Sequence, residues 1–554
     1  MRFGSSMTGT DRVIGEAVTS RLGRQLTIRA LLSIPLISCG GGGGGGGSAP
    51  PPPPPFSSVP LVRVSQGSTL MAGCNGAPQT GSLYLDAEVE PYVAINPSNP
   101  TNLIGAWQQD RWSNGGAQGL MLGASFDGGN SWSVTSAPFS RCTGGNAGNG
   151  GDLERATDPW VAISPNGIAY AMSLSFSGAT FAPGSASAML VARSIDGGLT
   201  WSPPVTLIQD GAQFFNDKCS ITADPVDARF VYAVWDRLTV AEDGPTWFAR
   251  TVDGGASWQP ARNIYDPGPG NQTIGNQIAV LPGGSIVNVF TQIDVVAGRA
   301  SASIRAIGSA DHGDTWSGPV TVADLLALGA ADPDTGTAVR DGSILFAVDV
   351  DGSGGIYLAW QDARFSGGQR DAIALSRSLD GGISWSAPVR VSAATTTPAF
   401  TPSVHIRDDG IIGVTYYDFR NNTVDPATLP TDYWIATSTD ALNWSESHLS
   451  GSFDLDRAPD AGGLFLGDYQ ALTSLGSDFL PFFVQTTMTA VGNRTDVYIG
   501  FSDALSSAAV VKTGEYAALT AAPYLVTPEW RQRVHDRIVH RLRQRVPDWA
   551  ERRE

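Results

Sequence analysis

From residue 60 to about residue 510 the chain is a succession of short runs in which apolar and polar positions alternate, punctuated by Gly, Asn, Asp and Pro. An apolar residue at every second position turns one face of a pleated strand inward, so the pattern predicts many short strands joined by tight turns. One stretch shows the grammar well, with strands expected over 160–164, 168–175, 189–194 and 201–207. The first unit opens near 92–95, and the last holds 469–472 and 482–485 but lacks an outer strand of its own. Residues 60–65, Pro-Leu-Val-Arg-Val-Ser, read like the outer strand Pro-Val-Arg-Val-Ser at 388–392. They are expected to pair into the last unit and close the array, which removes exposed edges. Helical spacing is confined to the end of the chain. After Thr527-Pro528, a suitable N-cap and first helical position, Trp530, Val534, Ile538, Leu542 and Val546 recur every four residues among six Arg. A basic amphipathic helix is expected there, with three fates open to it: docking on the body, touching an anionic membrane, or staying loosely ordered.

A second periodicity lies over the first. Ser125-Phe126-Asp127-Gly128-Gly129-Asn130-Ser131-Trp132 returns with the same spacing at 194–201, 251–258, 309–316 and 378–385. A sixth copy, Ser438 to Trp444, keeps Ser, Asp and Trp but has neither Gly, and a seventh is reduced to Ser502-Asp503. The aspartates Asp127, Asp196, Asp253, Asp311, Asp380, Asp440 and Asp503 stand 57 to 69 residues apart, room for one four-stranded unit each. This motif resembles the Asp box of sialidases and related propellers. The resemblance implies an all-β fold, a β-propeller of about seven four-stranded blades with Asp-box turns, plus a short C-terminal helix; six or eight blades stay open. The turn needs no ligand: the carboxylate accepts backbone N–H groups, Gly allows positive φ, and Trp covers the hairpin. None of these aspartates is assigned to chemistry.

Composition changes the picture at the ends. Residues 1–39 hold five Arg against two acids and residues 528–554 hold eight against five, so the body between is more acidic than the net charge of −17. Nucleic acid is therefore excluded as the main partner, since phosphate binding needs a basic footprint. Arg21, Arg24 and Arg29 precede a short apolar run ending at Ser38-Cys39, too short to span a bilayer. Leu36-Ile37-Ser38-Cys39 resembles the lipobox of bacterial lipoproteins, which implies lipidation of Cys39 and an extracytoplasmic protein anchored to the bacterial envelope, in the periplasm or at the cell surface. Eight Gly and six Pro within 40–59 form a spacer. The expected organisation is a signal peptide over 1–39, a linker over 40–59, the propeller over 60–526 and the helix over 527–554, in a monomer. Of the remaining cysteines, Cys74 and Cys142 lie in Gly- and Asn-rich loops and Cys219 in an apparent strand, so a Cys74–Cys142 disulfide is expected.

Candidate chemistry gathers on the rim opposite the Asp-box turns, where strand-two ends meet strand-one starts. Trp107-Gln108-Gln109-Asp110-Arg111, Trp235-Asp236-Arg237, Trp360-Gln361-Asp362-Ala363-Arg364 and Tyr416-Tyr417-Asp418-Phe419-Arg420 repeat acid and guanidinium there. Strand-one starts add Glu88, Glu90, Glu154, Arg155, Asp158, Asp217, Lys218, Arg340, Asp468 and Tyr469. Each Asp–Arg pair is explained equally by a tie between blades or by convergence on an anionic ligand. The ligand reading assigns Arg111, Arg155, Arg237, Arg340, Arg364 and Arg420 to anion binding. It assigns Asp110, Asp158, Asp362, Asp418 and Tyr469 to acid/base or nucleophilic work of the kind glycoside cleavage needs. The sialidase resemblance departs in two places: Leu61-Val62-Arg63-Val64 lacks the Pro of the family's arginine motif, and sialidases have six blades. Two functions stay open, an exo-α-sialidase-type hydrolase acting on acidic glycans and a non-catalytic propeller binding glycan or protein. The five histidines, His312, His405, His448, His535 and His540, are scattered without ligand spacing, so neither metal nor cofactor is demanded.

Overall fold

The computed structural model describes residues 60–487, 494–502, 512–517 (backbone only) and 524–545. The leader with Cys39, the 40–59 spacer, Asp503 and Val546 lie outside the described residues. The body is all-β, made of many antiparallel sheets, with one short helix at its C-terminal end. Among the described residues 28 of the 32 strands fall into seven groups of four, each ordered from a first strand, with the first two groups joined in one sheet. These first strands are Val89–Ile95, Arg155–Ile163, Phe214–Ala223, Gln272–Val280, Phe346–Val350, Ala399–Ile406 and Ala471–Leu475. Each touches the next in chain order, and the seventh touches the first, so the series closes on itself.

The closing strand is the one the sequence nominates. Leu61–Arg63 pairs antiparallel with Thr495–Gly500 in the register Leu61↔Gly500, Val62↔Ile499 and Arg63↔Tyr498, completing the seventh group. The second group runs Arg155–Ile163, Ala169–Ser177, Ala186–Ser194 and Val205–Asp210, and its hairpins are longer than the alternation suggests. The loop after its second strand is correspondingly short, spanning 178–185. The sixth group gains a fifth strand, Lys512–Ala517, on the outer side of Asn443–Asp454.

The repeated turns join third to fourth strands and are satisfied within themselves. In the first, the backbone N–H of Ser131 donates to Asp127 Oδ1 at 2.9 Å and its hydroxyl to Oδ2 at 2.6 Å. Gly129 N–H donates to Ser125 Oγ at 2.9 Å, and the Trp132 indole to Gly129 O at 2.9 Å. The bonds to carboxylate and hydroxyl recur about Asp196, Asp253, Asp311 and Asp380, and the indole bond recurs about Asp196, Asp311 and Asp380. Gly128 and Gly129 adopt φ of 73° and 98°, where a side chain would be strained. The sixth turn is one residue shorter, and Ala441 takes the left-handed position at φ 63°. These hydrogen bonds hold the Asp253 and Asp380 carboxyls down near 2, led by the hydroxyls of Ser257 and Ser384.

Between the sheets the core is aromatic and aliphatic. Trp107, Trp235, Trp360 and Trp434 are fully buried, and a buried indole N–H needs an acceptor. Trp107 donates to Gln109 at 3.2 Å, Trp235 to Asn216 at 2.9 Å, Trp360 to Asp362 at 2.9 Å and Trp434 to Asp418 at 3.0 Å. Cys74 and Cys142 are joined as a disulfide, and Cys219 is a buried free thiol.

Candidate functional site

Where the first strands begin, their pairing slips by one residue. The register breaks between Val89 and Tyr92, Thr157 and Trp160, Asp217 and Ser220, Ile274 and Gln277, and Phe400 and Ser403. One residue in each bulge is left-handed: Glu90 (φ 54°), Asp158 (52°), Lys218 (44°), Gly275 (68°) and Thr401 (49°). For the four that carry side chains this conformation costs about 1–3 kcal/mol apiece, and a bulge re-aims the residue it displaces. The result is a ring of first strands that delivers charged side chains from distant parts of the chain to one centre.

At that centre Lys218 Nζ lies 3.3 Å from Glu90, 3.1 Å from Asp158 and 2.8 Å from Asp468. Arg340 reaches Asp468 Oδ2 at 2.9 Å. Burial opposes charge on Lys218, but Asp158, Asp468 and Glu90 outweigh it and hold the ammonium above the ordinary lysine range. Burial likewise opposes charge on Asp468, yet Arg340, Arg541 and Lys218 hold its carboxyl well below the usual carboxylate range. Glu90 goes the other way: burial pushes it up to about 7 against the pull of Lys218, with Asp158 and Asp468 adding to the rise.

Beside this network opens a cavity of about 330 Å³. Its walls include Gln79 and Thr80 from the N-terminal loop, Phe176 and Phe215, the 178–180 loop, and the charged side chains Arg111, Glu154, Arg155, Asp158, Asp217, Lys218 and Arg340. Arg111 and Arg155 stand apart from the other arginines. Both are buried, at 2% and 5% exposure, and among the described residues neither has a carboxylate within ion-pair distance. Arg111 donates Nη1 to Gln108 at 2.7 Å and lies 4.9 Å over the Phe465 ring, while its Nε has no partner among the described residues. Arg155 stacks 4.6 Å over Trp112 and bonds only neutral acceptors: Gln79, Asn114, Gly115 O and Thr80 O. Burial pulls both guanidinium pKa values down to about 10. A buried guanidinium without a counter-ion is costly, and an anion in the cavity would remove that cost.

The remaining residues expected on this rim have partners of their own. Arg237 forks onto Asp210 at 2.6 and 2.8 Å and stacks on Phe214. Arg364 pairs with Asp362 at 2.7 Å, and Arg420 with Asp418 at 2.6 Å and Glu446 at 2.5 Å. Asp362 and Asp418 are thereby occupied twice, by an arginine and by a tryptophan indole. Asp110 accepts from Ser68 Oγ at 2.5 Å, Asp86 N at 2.9 Å and Gln118 at 2.8 Å, tying down the N-terminal segment. Tyr469 donates to Pro159 O at 3.0 Å, and burial followed by Glu90 and Asp158 pushes its phenol far up, so it sits there un-ionised. Thus Arg111, Arg155, Arg340 and Asp158 are brought together on the cavity, and Arg237, Arg364, Arg420, Asp362 and Asp418 are not among its walls.

No protein-family model and no curated relative matches this chain. Among solved structures it is similar to a Hadza microbial sialidase, at 18% identity and a TM-score of 0.40 over 60% of this chain. The match spans 63% of that sialidase, just under two thirds of its length. It is also similar to a Penicillium chrysogenum alpha-L-arabinanase complexed with arabinobiose, at 14% identity and 0.41, covering 65% of this chain and 94% of that one. A Dyadobacter fermentans protein of unknown function aligns over 81% of this chain and 100% of its own, at 13% identity and 0.39.

Sequence reasoning alone missed two contributors. The loop holding Gln79 and Thr80 carries no periodicity. The helix Pro528–Arg545 is legible as basic and amphipathic, but its place beside the cavity is not. Arg533, Arg537, Arg541 and Arg545 recur at the same four-residue step as Trp530, Val534, Ile538 and Leu542, and Gln544 and Arg545 line the cavity.

Proposed function

We propose that the seven four-stranded groups are the blades of one Asp-box propeller that binds an acidic glycan in the cavity on its rim, with the ligand's anionic group between Arg111 and Arg155. A single observation carries this reading: two buried guanidiniums without carboxylate partners share one cavity, whereas Arg237 is neutralised by Asp210 of the neighbouring sheet and Arg364 and Arg420 by carboxylates of their own. The cavity lies at the lower end of the range of small-ligand pockets, and the Phe176 and Phe215 rings offer apolar faces beside the cations. Glycoside hydrolysis is the second reading, favoured by Asp158, Asp217 and Glu154 standing on the same walls, since acid and base or nucleophile must flank a scissile bond.

Titration with a graded pair, 3′-sialyllactose and lactose, followed by screening against fluorogenic sialosides and other acidic glycosides, tests both. Preference for the charged sugar supports the binding site, and turnover adds the hydrolase. Equal or absent binding of all acidic sugars rejects the reading.

We further propose that the chain is exported and tethered by lipid on Cys39, on the strength of its lipobox-like sequence and the Gly/Pro spacer behind it. Cys39→Ser should release the protein from membranes with an unchanged melting profile. Full retention of that variant in the membrane fraction rejects the anchor.

A further inference from the structure

The helix Pro528–Arg545 does more than cover the rim. Its apolar stripe, Trp530, Val534, Ile538 and Leu542, is buried in the same cluster as Leu326, Ile344 and Ala363. Three glycines leave the space it needs: a Cβ at Gly368 would strike Trp530, one at Gly329 would strike Arg537, and one at Gly462 would strike Gln544. The seat is therefore shaped for these side chains. Beside the apolar stripe, three arginines at successive four-residue steps each reach a buried carboxylate. Arg537 donates to Asp341 at 2.5 Å, Arg541 to Asp468 at 2.6 Å, and Arg545 to Asp217 at 2.7 Å and to Asp236.

Charge accounting at the centre gives these contacts a consequence. Six carboxylates meet there: Glu90, Asp158, Asp217, Asp236, Asp341 and Asp468. Among the described residues the sheets place only Lys218 and Arg340 within ion-pair distance of any of them. Without the helix, these six carboxyls, of which Glu90 keeps its proton up to about pH 7, face two bonded cations, and the centre beside Arg111 and Arg155 keeps an excess of acid. With it, the helix's three arginines bring the bonded cations to five against those six carboxyls, and the cavity walls carry Arg111, Arg155, Lys218, Arg340 and Arg545 against Glu154, Asp158 and Asp217, a positive balance. In a poorly solvated site such charges act on one another with little screening.

We propose that the C-terminal helix is a constituent of the ligand site that sets its sign: docked, it makes the cavity accept an anion, and undocked, it leaves an acidic well that repels one. Arg545, which lines the cavity, is the specificity-determining residue of the segment, and Arg537 and Arg541 are positioning residues that act through Asp341 and Asp468. The inference rests on the acidic-glycan reading for the identity of the ligand, though not for the sign of the site. Because docking and anion binding favour one another, each strengthens the other by the same factor.

The test compares the full chain with a chain ending at Pro523 and with Arg537→Gln/Arg541→Gln/Arg545→Gln, which keeps the apolar stripe should the truncation fold poorly. Two probes are titrated: 3′-sialyllactose against lactose, and terbium(III), whose luminescence near Asp158 is sensitised by Trp160. The full chain should prefer the charged sugar, and both variants should lose that preference by about tenfold or more. The variants should also gain a saturable terbium site that the full chain lacks, the exposed turn aspartates giving the same background in all three. A synthetic peptide of residues 524–554 should reverse both changes in the truncated chain. If the full chain shows no preference for the charged sugar, the glycan reading falls, and terbium alone decides the role of the helix. Folded variants that keep the full chain's terbium response overturn it.

Discussion

The two ends of the strands solve the same problem in opposite ways. On the turn face the described aspartates are exposed or half-buried, and their hydrogen bonds come from residues two to four positions away in the chain, so every such copy is complete by itself. At the centre of the rim the charges are buried and are satisfied from afar. Lys218 and Glu90 are 128 residues apart, Lys218 and Asp468 are 250 apart, and Arg545 and Asp217 are 328 apart. Local satisfaction makes a turn a folding device that tolerates repetition. Buried satisfaction over such distances makes the rim singular, dependent on the whole ring, and able to leave particular groups without a counter-ion. Arg111 and Arg155 are those groups.

The sharpest way to break this comparison is to remove one hub of the rim. Asp468→Ala would leave Arg340 and Arg541 without their shared carboxylate and Lys218 with two acids in place of three. It should cost about 3–5 kcal/mol of stability, as breaking a buried pair does, read by chemical denaturation. A loss no larger than that of a turn aspartate would dissolve the distinction between the faces.

Next in size is a binding effect. Arg111→Ala and Arg155→Ala should each weaken a bound acidic sugar by about 1.5–3 kcal/mol, the range for charged hydrogen bonds. Arg237→Ala, Arg364→Ala and Arg420→Ala should leave affinity unchanged, because their charges already belong to Asp210, Asp362 and Asp418. Calorimetric titration of the five variants separates the classes, and equal losses across all five would erase the division between free and neutralised arginines.

Smaller still is an effect on the turn face. Ala441 pays for its left-handed conformation, and Ala441→Gly should stabilise the protein by about 0.5–1 kcal/mol once the extra freedom of glycine is deducted. A lower melting temperature would mean that the sixth turn is held differently from its five relatives.

The remaining effect is one of pH. The turn aspartates Asp253 and Asp380 titrate near 2 in the folded chain and at about 3.9 when unfolded. Their stabilisation is therefore complete above about pH 4 and is lost as pH falls toward 2. Glu90 has the opposite sign. Its folded carboxyl, raised to about 7, holds a proton that the unfolded chain has released, so stability declines as pH rises from about 4.3 toward 7. Glu90→Gln should flatten the neutral limb of a stability–pH curve and leave the acid limb intact, whereas turn substitutions should do the reverse.

How far the sequence reaches follows from the same contrast. The strands, the repeated turns, the strand that closes the last sheet and the C-terminal helix were legible because each is written in neighbours: alternation for strands, a hydroxyl, a carboxylate and a glycine within one turn, a four-residue step for the helix. The rim's residue types were legible too, since Asp–Arg pairs recur after each buried Trp or Tyr. Their roles were not. Arg155 and Arg237 look alike along the chain. Only the packing of sheets shows that one meets Asp210 while the other meets Trp112 and neutral carbonyls. Likewise, the arginine stripe of the helix is plain in the sequence, but its targets lie up to several hundred residues away. Conformational preference and local hydrogen bonds are properties of a short segment, so the amino-acid order determines them directly. Whether a buried charge has a partner depends on which distant strands the closed ring brings within 3 Å, and that was decided by tertiary structure alone.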